Sequence, residues 1–335
     1  MDAFVKKGGR KCYLDSTPGV GEAFVTVMDT YTAGNPQEGV LWTNLTRSEI
    51  AAGLAKEGFE VSVTVVDRLL DEFEMRQHKP LKMKAMHQEP DRNAQFEHIA
   101  AMKEEYLQAG LPVLSMDTKK RENLGDYVRP GRLYSTAPLH GWDHDFPTHR
   151  LGVVIPHGLY DVGLNEGYFH LGDSHDTSEF AADALIDWWR SYGQWRYPQA
   201  AEMLLFCDSG GSNRAAGRDF KEQLQRVADH TDLVIHVAHY PPGCSKYNPI
   251  DHRLFPHVTH KLQGIFLTSL EMVRDLVRRA TTHSGLKVFA RTLRGVYETG
   301  KSHSSDHHAP LRILLGSILP KWNYFVLPQP LWEVI

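Results

Sequence analysis

The sequence predicts a mixed α/β fold, a five-stranded mixed sheet flanked by helices and preceded by an all-α region. Three observations lead there. From residue 111 onward, short apolar runs of strand length alternate with segments of helical periodicity. Two of those runs, LGVVIPHGLYDV and EGYFHLGDS, follow each other directly across a turn at Asn165, so part of the sheet is a hairpin. Before residue 80 the clearest signals are helical.

Residues 1 to about 40 are punctuated by Gly and Pro and only partly periodic. In LTRSEIAAGLAKEGFEVSVTVVDRLLDEF, Thr46 and Glu49 form a capping box, and Ile50, Leu54 and Ala55 keep helical spacing. Gly58 breaks this helix, Ser62 can cap a second, and Val65, Val66, Leu69 and Leu70 give the second its buried stripe. Two short helices across a Gly-containing turn make a helix-turn-helix, whose second helix can enter a major groove. On that helix Ser62, Thr64, Asp67 and Arg68 are the candidate DNA-reading residues. Helical hairpins also serve as plain packing units, and this one is not basic. The expected organisation is a DNA-binding region at 1–85, a connecting helical segment at 86–110, the sheet domain at 111–300 and a C-terminal extension at 301–335. The extension contains the His/Ser-rich run SHSSDHH at 302–308.

The sheet domain reads in order. LPVLSMD is a strand, and the hairpin follows. TSEFAADALIDWWRSYG is a helix capped by Asp176 or Thr177. EMLLFCD is a strand, AAGRDFKEQLQRVADH a helix and LVIHVAHY a strand. PIDHRLF opens a helix with Pro249 in its first turn, SLEMVRDLVRRATT is another helix, and GLKVFARTL is a further strand. Strand, hairpin, helix, strand, helix, strand, helix is the order of an RNase H-like domain. In that fold, acids on the first and fourth strands and on a following helix meet at one edge.

Asp117, Asp208 and Asp251 occupy those three places. Each alone has a plainer explanation: a turn or cap aspartate at Asp117, a turn before glycines at Asp208, a first-turn acid favoured by the helix dipole at Asp251. Clustered at the edge of a core, carboxylates repel one another and lose hydration, and a divalent cation relieves both costs. Oxygen donors alone suit Mg²⁺, and a pair of such ions serves displacement at a phosphodiester. In DSGGSN, Gly210, Gly211, Ser212 and Asn213 allow backbone and small polar groups to approach a phosphate. A chymotrypsin-like serine hydrolase is a poor fit, because that fold is all-β. The 19 histidines raise the question of zinc, but His236 and His239 alternate across a strand and project oppositely, so both cannot easily reach one ion. His252, beside Asp251, is the histidine best placed to assist the acids.

The net charge of −4 speaks against nucleic acid, yet its distribution does not. From Cys244 to Leu293, eight Lys and Arg face three acids, and Lys119, Lys120 and Arg121 directly follow Asp117. Such strips bind phosphates, although a solvated helix face explains Arg274 to Arg279 equally well. Three scattered cysteines imply no disulfide framework and a reduced, cytoplasmic setting. No apolar run is long enough to span a membrane, and the first residues lack the apolar core of a signal peptide.

The blocks MDTKKRENLGDY, HDF at 144–146, GLYDVGLNEGYFHLGDSHDTSEFAADALIDWW, LLFCDSGGSNRAAGRDFKEQL and HYPPGCSKYNPIDHRLF resemble the Rhodopirellula-type DDE transposases of bacterial insertion sequences. The similarity runs from about residue 40 through WNY at 322–324. The proline-rich approach to Asp251 is also similar to the wider Tc1/mariner group. The resemblance implies a DNA transposase with a retroviral-integrase or RNase H-like catalytic domain, acting in the bacterial nucleoid. Asp117 and Asp208 match the first two metal-binding acids. At the third position the family usually carries Glu, and this chain has Asp251, one methylene shorter but still an oxygen donor.

The implied chemistry uses two Mg²⁺ ions, with Mn²⁺ as a substitute, held by Asp117, Asp208 and Asp251. Lys119, Lys120, Lys246, His252 and Arg253 are the expected phosphate contacts. The expected partners are duplex DNA, both terminal inverted repeats and target, and a second copy of the chain on that DNA. Two rivals stay open: a DNA-binding regulator with a silent catalytic domain, which the Asp251 departure favours, and a metal-dependent nuclease that does not join strands.

Overall fold

The structure is a computed structural model that describes residues 17–31, 33–35, 40–43, 45–77, 89–210, 217–299 and 310–330. The chain divides into two compact units, Met1–Lys84 and Ala85–Ile335. Among the described residues no helix is long and apolar enough to cross a membrane.

The first unit contains α1 (Val20–Tyr31), α2 (Arg47–Lys56) and α3 (Val63–Glu72), with a two-stranded antiparallel ribbon of β1 (Ala33–Asn35) and β2 (Val40–Trp42). Its core is built from Val20, Phe24, Val27, Ile50, Leu54, Val66 and Leu69. Helix α1 lies in a stretch whose sequence is only partly periodic overall. Yet Val20, Ala23, Phe24, Val27 and Met28 follow i, i+3, i+4, i+7, i+8 and are all buried, a full amphipathic stripe. Gly53 lets α2 meet α1, since a Cβ there would stand 2.7 Å from Val27 Cγ1. The Thr46–Glu49 capping box forms as expected. Two details differ. Ser62 occupies the N-cap of α3 but its side chain makes no capping hydrogen bond, and Ala55 faces solvent rather than the core.

In the second unit, α4 (Arg92–Gln108) is followed by β3 (Val113–Thr118), β4 (Glu122–Leu124), β5 (Gly152–Asp161) and β6 (Glu166–Gly172). Then come α5 (Ser178–Trp188), β7 (Glu202–Cys207), α6 (Arg218–Thr231) and β8 (Val234–His239). The remainder is α7 (Pro249–Arg253), α8 (Phe255–Leu262), α9 (Leu270–Val277), β9 (Lys287–Thr292), β10 (Ile313–Leu315) and β11 (Asn323–Val326). The sheet order is β10-β11-β8-β7-β3-β5-β6-β9, with β4 paired to β5.

The centre of this sheet, β6-β5-β3-β7-β8, is the predicted five-stranded mixed sheet. β5 runs antiparallel to β3 and β6, while β3, β7 and β8 are parallel. Four further strands enlarge it, two of them from the segment read as a C-terminal extension. Strands buried on both faces read as continuous apolar runs, which is why LPVLSM and EMLLFC were legible. Helices α5 and α6 cover one face through Leu114, Met116, Leu205, Leu185 and Leu224; α7, α8 and α9 cover the other through Tyr160, Phe169, Ile250, Leu254 and Val273. Two glycines set how closely that second layer sits. A Cβ at Gly158 would lie 2.9 Å from Ile250, and one at Gly167 would lie 2.4 Å from Leu254. The short helix α7 therefore rests directly on the hairpin.

Candidate active site

Asp117 stands near the end of β3, after four fully buried residues. Strand β7 runs parallel beside it with Val113 opposite Leu204 and Ser115 opposite Phe206. The pairing ends there; Asp208 directly follows β7, so both carboxylates leave the same C-terminal edge of neighbouring parallel strands, and the charge of Asp208 acts on Asp117. Parallel pairing of β3 and β7 thus brings two acids to one sheet edge.

The third acid arrives by a different route. Asn248, wholly buried just ahead of α7, turns its side chain toward β3 rather than onto its own helix. Its Oδ1 accepts from Ser115 Oγ at 2.5 Å, its Nδ2 donates to the Met116 carbonyl at 3.2 Å, and the Ile250 N–H donates to Ser115 Oγ at 2.9 Å. Ser115 and Asp117 share one face of β3. The start of α7 is pinned two residues before Asp117, and Asp251 follows in its first turn.

The electrostatics report the same convergence. Burial, then the charge of Asp208, and also those of Asp251 and Asp176, push the Asp117 carboxyl up to about 7; the Thr118 N–H, 2.7 Å from its Oδ1, opposes this. Asp208 is raised by burial, with Asp251 and Asp176 adding to it and the Gly210 N–H opposing. Asp251 is raised by burial against the pull of His252. The backbone beneath Asp208 is fixed by His239 Nδ1, 2.9 Å from its carbonyl oxygen, and by Ser209 Oγ donating to the Tyr240 carbonyl.

The sequence offers Asp176 as an alternative to Thr177 for the cap of α5. The cap of α5 is Thr177, whose hydroxyl accepts from the Phe180 N–H. Asp176 instead accepts from Thr118 Oγ1 at 2.9 Å, and that same oxygen lies 2.8 Å from His157 Nδ1. A fourth carboxylate therefore borders the site. Its only sequence signal was the redundancy of two candidate caps in HDTSE.

The basic residues divide. Lys119 is nearly buried and its Nζ meets Glu122 Oε1 at 2.5 Å, a carboxylate that also receives Arg129 Nε at 3.2 Å. Lys120, Lys246, His252 and Arg253 are exposed; Lys246 Nζ lies 5.0 Å from the Tyr247 ring centroid. In the first unit, Ser62, Thr64 and Arg68 are exposed, whereas Asp67 pairs with Arg47 at 3.0 Å. His236 and His239 face opposite ways as expected, the first against Tyr106 and Phe325, the second against Tyr324. Burial holds both down to about 4, so both are neutral packing groups. Gly210 is described; Gly211, Ser212 and Asn213 lie outside the described residues, as do Cys12 and the run 302–308.

Among the described residues no group of three or more His, Cys, Asp or Glu side chains is already arranged to hold a metal ion. The donor set nonetheless fits a hard divalent cation. It consists of carboxylates alone, their pKa values are raised, and Asp208 Oδ1 is buried without a hydrogen-bond partner among the described residues. A cation would satisfy that oxygen and cancel the repulsion.

Residues 23–328 match the family described as the Rhodopirellula transposase DDE domain. No curated protein matches the chain. Among solved structures it is similar to the Mos1 transposase paired-end complex with left transposon end, at TM-score 0.45 and 16% identity over 82% of this chain and 73% of that one. It is similar also to a pre-cleavage Mos1 transpososome, at TM-score 0.45 and 15% identity over 82% and 73%.

Proposed function

The chain belongs to the Rhodopirellula transposase DDE family, and from that premise we propose that it cuts the ends of an insertion sequence and joins them to target DNA. The observation that supports this most is that Asp117 and Asp208 leave the same edge of paired parallel strands, while the Asn248–Ser115 hydrogen bonds seat the helix that carries Asp251. Asp117, Asp208 and Asp251 would hold two Mg²⁺ ions, or Mn²⁺ in their place. When bound, such ions activate an attacking oxygen and stabilise the leaving 3′-oxygen at a phosphodiester.

The chain's own residues prepare that chemistry. The Gly210 N–H and the Thr118 N–H each bond a carboxylate and orient it. Asn248 and Ser115 keep α7 seated, and the bare backbone at Gly158 lets it approach closely, which suits an acid one methylene shorter than Glu. Lys120, Lys246 and His252 are exposed and can meet phosphates, whereas Arg253 would first have to leave the Tyr160 hydroxyl and Lys119 would have to leave Glu122. Ser62, Thr64 and Arg68 on α3 would read the terminal inverted repeats, with Asp67 oriented by Arg47 and phosphate contacts adding salt-sensitive affinity. Two element ends call for two copies of the chain.

Asp208→Asn should abolish strand cleavage in Mg²⁺ while binding to element ends persists; continued cutting by that variant would refute the metal-site assignment. A regulator with a silent catalytic domain is the second reading, favoured by Asp251 where the family usually has Glu. Titrating Mg²⁺ or Mn²⁺ onto a complex with a labelled terminal repeat separates the two, and detecting joined rather than nicked products separates transposase from nuclease.

A further inference from the structure

Outside the carboxylate site, the described residues of the second unit form a strongly charged cleft at the outer edge of β9. It is lined by Arg274 and Arg278 of α9, by Arg291 and Thr292 at the end of β9, and by Arg294 just beyond, with Glu271 as the one acid. Edge protection explains part of it. Arg278 donates through Nε and a terminal nitrogen to the Ala290 carbonyl, closing an edge acceptor, and Arg291 pairs with Asp187 at 2.9 Å. The remainder is not explained that way. Asp275 is shared by two arginines, at 3.0 Å from Arg274 and 3.9 Å from Arg278. Arg294 is exposed and makes no ion pair among the described residues. The Thr292 hydroxyl, in the cleft wall, is buried without a hydrogen-bond partner among the described residues. Surplus guanidinium charge beside an unanswered hydroxyl is the chemistry that receives phosphate oxygens.

Strand register locates the cleft. Thr118 pairs with His157, His157 with His170, and His170 with Arg291, so Arg291 lies on the row next to Asp117, three strands across. β6 and β9 run parallel to each other and in the direction of β3, which puts the end of β9 at the same sheet edge as Asp117 and Asp208. Three strand spacings are about 14 Å. Along duplex DNA that is about four base pairs of rise, at 3.4 Å per phosphate on each strand.

We infer that the cleft between Arg274, Arg294 and Thr292 binds backbone phosphates of the duplex whose scissile phosphate lies at the carboxylates, about four base pairs from it. This rests on the DNA-cutting reading above and adds a grip that the carboxylates and the helix-turn-helix do not provide. The duplex is either the DNA flanking the element or the target, and the test distinguishes them.

Affinity is measured against salt concentration for the full chain carrying Asp208→Asn, with and without Arg274→Gln and Arg294→Gln. One duplex carries an element end plus flank, a second stops at the cleavage site, and a third is target duplex without an end. On at least one of the first and third duplexes, the double variant should bind roughly tenfold more weakly near physiological salt. Its log–log salt slope should be shallower by about two, one for each lost phosphate contact. Loss confined to the flanked end assigns the flank, and loss on the target duplex assigns the target. Arg294→Gln alone, at an exposed site, should lower the slope by about one, and Arg→Lys at both positions should restore most of it. Unchanged affinity and slope on every duplex would reduce the cleft to edge protection and overturn the proposal without touching the cleavage assignment. Failure of the parent chain to bind any duplex would overturn both.

Discussion

The helical unit and the sheet unit are built on opposite principles. In the helical unit, the groups that matter are neighbours in the chain: Thr46 and Glu49 close a capping box within one turn, and the candidate reading residues run from the N-cap Ser62 to Arg68 of α3. In the sheet unit, the hydrogen bond that seats Asp251 joins Ser115 to Asn248, 133 residues apart. Damage in the first unit should therefore stay local and graded. Damage in the second should propagate from one contact to the chemistry.

The largest expected contrast comes from Asp208→Asn, which should lower cleavage by about 10³-fold or more while end binding by the helical unit changes less than about twofold. Gel assays on one labelled repeat read both quantities. A comparable loss of binding would show that the two units are not separable in function.

Asn248→Ala should come next. It strands Ser115 and the Met116 carbonyl in a buried layer, at a cost of about 2–3 kcal/mol in urea unfolding. It should also reduce cleavage, because Asp251 loses its anchor. A stability loss with unchanged cleavage at saturating metal would mean that α7 is held by its apolar contacts alone.

The carboxylates make a pH-dependent prediction. Asp117 has an ordinary value of 3.8 and is held at about 7 in the fold, so the folded state binds its proton more tightly than the unfolded chain does. Stability contributed by that proton is full below about pH 4 and is lost as pH rises through about 7. In metal-free protein at pH 8, Asp117→Asn should thus be stabilising, by up to about 4 kcal/mol, while at pH 4 it should be neutral. Mg²⁺ should raise the melting temperature of the parent chain at pH 8 and do little for the variant. Equal melting shifts for both would separate the metal from this carboxylate.

The smallest contrast lies within the helical unit. Thr46→Ala should cost about 1 kcal/mol, since it breaks a formed box. Ser62→Ala should change stability by less than about 0.5 kcal/mol, since that side chain makes no capping bond. Equal losses would place a hydrogen bond at Ser62 in solution.

The strand–helix order, the hairpin at Asn165 and the candidates Asp117, Asp208 and Asp251 were all readable, because each is announced by apolar runs and turn residues within a few positions. Helix α1 was missed: its Val20–Met28 stripe keeps helical spacing, but the glycines and prolines flanking it obscured the period. Asp176 and Asn248 were not readable. A polar residue near a helix start looks like a cap from the sequence, and only its partner reveals otherwise. The same holds for Lys119, whose charge is turned onto Glu122. It holds also for Arg291 and Arg294, which gain meaning only once β9 is placed beside β6.

What the sequence determined by itself was the kind and order of elements and the residue types able to hold a cation, since periodicity, caps and turn chemistry act over a single turn or strand. The tertiary structure alone decided which acids meet, which lysine is spent on an internal carboxylate, and which arginines share an edge with the carboxylates. Those outcomes depend on strand register and on buried hydrogen bonds between distant segments, where a shift of one residue would turn every side chain to the other face.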